Sequence, residues 1–155
     1  MDGVTRPRRT IARAARGEAG TAIIEATLTL PLLLLVVVGI CDFGLLFQRY
    51  GVVTNAAREG ARVAVLPGYT TGDVTARVQS YLAAGGVNDA PAMTVAPLTI
   101  TPAGGGMPYT AVSVTVESDH TFSFFAPIAA LFGGDFGTVT LTATSVMRTE
   151  VAAGG

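Results

Sequence analysis

From Ala19 to Cys41 the only charged side chain is Glu25, and Ala26 to Cys41 has none. Roughly 20 apolar residues at about 1.5 Å rise each cover the ~30 Å hydrocarbon thickness of a bilayer. Leu32 to Val38 is apolar on every side of a helix, as a lipid-exposed segment must be. A chain of 155 residues has too little other material to wrap such a helix in a soluble core. The sequence therefore predicts a transmembrane helix over residues 21–48. Half of all residues are apolar and only 14% are charged, which suits one span joined to a small domain.

The charges set an orientation. Arg6, Arg8, Arg9, Arg13 and Arg16 precede the span, and only Arg49 follows it closely. Positive charge is retained in the cytoplasm, so residues 1–20 read as a cytoplasmic basic leader and residues 49–155 as an extracytoplasmic domain. Residues 1–20 carry five arginines against Asp2 and Glu18, a net of +3; the rest carries five against nine acids, a net of −4. A mildly acidic outer part is a poor nucleic-acid partner. Residues 1–16, with Pro7 and scattered arginines, read as disordered, and the helix is expected to begin near Gly17 to Thr21. No small-residue cleavage site follows the apolar run, and Ile40 is too large for a lipoprotein site at Cys41, so the span is expected to stay in the mature protein.

Glu25 is costly near a membrane and marks a functional position. Gly20 precedes it by five residues, so a cut between Gly20 and Thr21 makes Glu25 the fifth residue of a chain starting Thr-Ala-Ile-Ile-Glu. Further on come Pro31 in the leucine run, Asp42 with Gly44, and Ala56-Ala57-Arg58-Glu59-Gly60-Ala61-Arg62. Over residues 16–64 this pattern resembles the TadE-like family of tight-adherence (Tad/Flp) pilus-assembly pseudopilins. The resemblance implies a structural, non-catalytic component of a type IV-like pilus machine, with other pilus subunits, a prepilin peptidase and the bilayer as partners and no cofactor. It also gives Glu25 a role: pairing, in a low-dielectric setting, with the new α-amino group of Thr21 on a neighbouring subunit, which fixes axial register.

Past the span the same helix continues, to about 45 residues in all. Val52, Val53, Ala56, Gly60, Val63 and Ala64 fall on one arc and Asn55, Arg58, Glu59 and Arg62 on the other. The apolar arc is built of small residues, which admits a sheet or helix at short range. Glu59 and Arg62 are spaced for an i,i+3 pair. Leu66-Pro67-Gly68 ends the helix. Thr71 to Ala84 reads as a second helix with Val74, Val78, Tyr81 and Leu82 on one face, Asp73 in its first turn and Gly85-Gly86 as its stop. The period then changes to two. Strands are expected at 93–101, demoted to an edge by Pro97, at 109–117 with Val112, Val114 and Val116 on one face, and at 139–148. The fold class is α+β: a long helix packed on a three-stranded antiparallel sheet, the pilin-like plan.

Three features fit more than one role. Asp42, about 25 Å along the helix from Glu25, reads as a marker of the water boundary or as a partner site. Cys41 is the single cysteine and serves as a small buried hydrophobe or an intermolecular bridge. Phe122, Phe124, Phe125 and Phe132 form core packing beneath a loop, or a contact patch facing a subunit or the membrane surface.

Nothing in the pattern points to catalysis or to a metal. Ser118, Asp119 and His120 are adjacent on an extended stretch, where neighbours point to opposite faces. A triad requires convergence in space, not adjacency. One histidine and one thiol make no zinc or iron constellation. Two function classes remain: a processed minor pseudopilin, and an uncleaved single-span envelope protein whose outer domain binds a partner.

Overall fold

The computed structural model describes residues 11–89, 91–131, 133–134 and 138–149, with side chains from residue 20 onward. The chain forms three helices and three strands in the order α1 (Ile11–Ala64), α2 (Thr71–Ala84), β1 (Ala92–Ile100), β2 (Tyr109–Thr121), α3 (Phe125–Leu131) and β3 (Thr138–Arg148). A long apolar helix with a small antiparallel sheet makes this an α+β protein. Two compact units divide between Cys41 and Asp42.

The first unit is the apolar part of α1. Among the described residues this is the one helix long and apolar enough to cross a membrane, over its Gly20–Ala64 portion. Its large side chains from Ile23 to Val37 are exposed. The helix starts at Ile11, earlier than the expected 17–21, and spans 54 residues, not about 45. Residues 11–16 are therefore helical and not disordered, whereas the same expectation for residues 1–10 lies outside the described residues. Alanine and arginine are strong helix formers, and Ala12 to Arg16 is made of nothing else. Adding such residues to an existing helix avoids the nucleation cost. Pro31 lies inside the helix and lacks the N–H that would reach the Thr27 carbonyl. Cys41 is exposed on α1.

The second unit is built on the remainder of α1. Its core joins Val53, Ala56, Ala57, Ala61 and Val63 of α1 to Val74, Val78 and Leu82 of α2, and to Val114 and Val116 of β2. The short side chains along α1 admit this close approach. An added Cβ at Gly60 would lie 2.5 Å from Val78 Cγ2 and 3.2 Å from Val114 Cγ1, so only glycine fits where α1, α2 and β2 meet. Helix α2 has the bounds the sequence predicts. Thr70 accepts from the Asp73 N–H and the Asp73 carboxylate accepts from the Thr70 N–H, a reciprocal capping box. Tyr81, placed on the α2 core face by spacing, is partly exposed, while Val74, Val78 and Leu82 are buried.

The sheet has the order β1-β2-β3 with both pairings antiparallel. Pro97 stands on β1, an edge strand, opposite Val112. The central strand β2 runs to Thr121, four residues past the expected end at Glu117, because Ser118 to Thr121 pair with Leu141 to Thr138 of β3. Ser118 and His120 thereby face inward and Asp119 outward, which separates the three residues as extended geometry requires.

Candidate functional site: the residue 20–62 helix and its contacts

Gly20 and Thr21 lie on the exposed surface of α1, with open space where a Gly20 side chain would stand. One turn further, Glu25 is exposed on a stretch whose neighbours Ile23, Ile24 and Leu28 are exposed hydrophobes. Thr27 donates its hydroxyl to the Ile23 carbonyl at 2.7 Å, which satisfies a polar group within the apolar run. Pro31 follows, also exposed.

Asp42 begins the second unit and is fully buried. Its Oδ1 accepts from the N–H groups of Ser123 (3.1 Å) and Phe124 (3.2 Å), and its Oδ2 from Phe124 (3.1 Å) and Phe125 (2.7 Å). Three successive backbone N–H groups thus form a cradle for one carboxylate at the start of α3. This corrects the reading of Asp42 as a water-boundary marker. The residue is an intrachain tether, and its charge is matched by N–H dipoles and not by water. Beside it the Phe43 and Phe122 rings meet edge-to-face, with centroids 6.0 Å apart. Gly44 faces open space.

Two helical turns past Asp42, Arg49 is a second junction. Its Nε and Nη2 donate to Ser118 Oγ at 3.2 and 3.0 Å, and Nη2 pairs with Asp89 Oδ2. Burial pushes the Asp89 carboxyl up, but hydrogen bonds from Arg49, its own backbone and Ser118 outweigh this and hold it below the usual range. Gln48, Arg49, Gly85, Gly86 and His120 line a cleft of about 300 Å³. The His120 ring stacks edge-on against Phe122 at 5.6 Å, and its buried Nε2 has no hydrogen-bond partner among the described residues.

The last motif segment divides by face. Ala57, Gly60 and Ala61 are buried in the core, while Arg58 and Arg62 are exposed. Glu59 pairs with Arg62 as its spacing predicts, through bonds of 3.0 and 2.8 Å. It also accepts two bonds from Arg77 of α2, at 3.0 and 2.8 Å, so one carboxylate ties two helices together. The Arg62 hydrogen bonds first, and the Arg77 hydrogen bonds next, hold Glu59 down at about 2.

Residues 20–62 match the family model described as TadE-like protein. The TadE-like segment runs from the open Gly20 to the Glu59–Arg62 pair and lies entirely on α1. No curated protein and no solved structure matches the chain. Within this segment the structure gives three motif residues core positions (Ala57, Gly60, Ala61), two a shared ion pair (Glu59, Arg62) and one a tether (Asp42). Arg49, Asp89 and Arg77 were not foreseen. The only signal for them was a lone cation just past the span and acids without a local partner.

Proposed function

We propose that this chain is a minor pseudopilin, a structural and non-catalytic component of a Tad-type pilus or related secretion machine. The TadE-like segment carries this reading. The basic leader faces the cytoplasm, residues 49–155 face outward, and a prepilin peptidase cuts between Gly20 and Thr21. Glu25 of one subunit then pairs with the Thr21 α-amino group of the next. An exposed carboxylate in an otherwise uncharged stretch, Ala19 to Cys41, supports that pairing, since such a charge is stabilised by a partner brought by a neighbouring helix.

The test is the N-terminal sequence of membrane-extracted protein. A start at Thr21 in cells with the peptidase, lost in cells without it, is the expected result. A start at Met1 or Asp2 in both refutes processing. Glu25→Ala should leave membrane insertion intact and abolish co-purification with the other pilus subunits; unchanged co-purification would overturn the pairing.

The second reading, an uncleaved single-span envelope protein, draws support from one observation. Helix α1 runs unbroken through the Gly20–Thr21 bond. Cleavage there requires local unwinding, which Gly17 and Gly20 ease.

A further inference from the structure

The segment around α3 is apolar but contributes little to the core. From Phe122 to Gly134 it carries no charge, and none of the α3 side chains is buried. Phe124 is 49% and Leu131 83% exposed. On α1, Phe43 and Phe47 lie one turn apart on one face and are 51% and 69% exposed. Phe43 touches Phe122, and the Asp42 carboxylate holds the backbone of residues 123–125. The exposed apolar side chains of both elements therefore start from one place.

Depth identifies what covers them. The first charged side chain after Asp42 on α1 is Arg49, seven residues or about 10 Å further along the axis. Asp42 itself is fully buried, under its N–H cradle. The start of α3 is thus tied to α1 well on the apolar side of Arg49, at the height of the last hydrophobic turn of the predicted span. At that height a span that is not packed against a neighbouring helix is surrounded by lipid. Phenylalanine and leucine form the apolar face of segments that lie at the headgroup–acyl boundary.

We propose that the α3 segment, with Phe43 and Phe47, seats in the outer headgroup and upper acyl region of the bilayer, as a short interfacial foot for the outer domain. This rests on the reading of α1 as a membrane-spanning helix. Asp42 serves the foot by accepting hydrogen bonds from three N–H groups that lipid cannot satisfy.

The chain has no tryptophan, so single reporters can be placed cleanly. Three full-length variants, Leu131→Trp, Leu33→Trp and Met107→Trp, are reconstituted into phosphatidylcholine–phosphatidylglycerol vesicles with lipids spin-labelled at shallow or deep acyl positions. Each site is exposed, Met107 at 90%, so no core packing is disturbed. Leu33→Trp should be quenched most by the deep label and Leu131→Trp by the shallow one, severalfold more than Met107→Trp. Leu131→Trp behaving like Met107→Trp while Leu33→Trp is quenched overturns the foot and leaves the span standing. An unquenched Leu33→Trp overturns the span, and the foot with it. Shielding of Leu131→Trp that grows with protein-to-lipid ratio, without lipid quenching, assigns the patch to a second copy and also refutes the proposal.

Discussion

Replacing Asp42 isolates a single tether between distant parts of the chain. Asp42→Ala strands the N–H groups of Ser123, Phe124 and Phe125, which now share four bonds to one carboxylate. Hydrogen bonds to a charged group contribute about 1.5–3 kcal/mol each in net terms, and an unsatisfied buried donor costs about 1–3 kcal/mol. These terms overlap, and the exposed flank of α3 lets water replace part of the loss, as at an ordinary N-cap worth about 0.5–2 kcal/mol. The combined cost is then about 2–4 kcal/mol, a large share of the ~5–15 kcal/mol that holds a typical domain together. Asp42→Asn keeps one accepting oxygen but turns an NH₂ toward the N–H cradle, for about half that loss. Amide hydrogen exchange in detergent or nanodiscs reads the effect locally. The amides of residues 123–125 should exchange much faster in both variants, most in Asp42→Ala, while α2 keeps its protection. Unchanged exchange at those three amides, with the thermal midpoint preserved, would refute the tether.

Other expectations follow from single contacts. Gly60→Ala, which in an exposed helix interior would stabilise by about 1 kcal/mol, should instead destabilise by about 1–3 kcal/mol, because the new methyl meets Val78 and Val114; a raised melting temperature would contradict the packing. Glu59 has a folded pKa of about 2, below its unfolded value near 4.5, so its contribution is present above pH 4.5 and fades as pH falls toward 2. Since Arg62 and Arg77 are half exposed or more, screening limits that contribution to about 1 kcal/mol or less, and a Glu59→Gln variant should lose the corresponding slope in stability against pH. Arg49→Met removes the donor to the buried Ser118 hydroxyl and should cost about 1–3 kcal/mol; a matching Ser118→Ala change should cost little more on top of it, as measured by denaturant midpoint.

Much was legible in the sequence wherever the deciding interaction is local. The uncharged run from Ala26 to Cys41, the Thr71–Ala84 helix with its Asp73 and Gly85-Gly86 ends, the alternation of β2 and the Glu59–Arg62 pair all depend on neighbours within a few positions. Periodicity and capping encode such neighbours directly. The TadE-like pattern lies on this local part, over residues 20–62, and is read with it.

The tertiary structure decided what depends on residues far apart in the chain. Asp42 meets its partners 81 to 83 positions away, and Arg49 reaches Ser118 across 69. No periodicity links such pairs; they meet only because the strands and α1 bring them together. The same holds for β2, whose last four residues are a strand because β3 lies opposite. Sequence alone thus determined most of the elements and the apolar character of α1. Only the folded chain determined that a carboxylate at the end of the apolar run is buried against α3 and not open to water, because burying that charge requires three N–H groups supplied from another element.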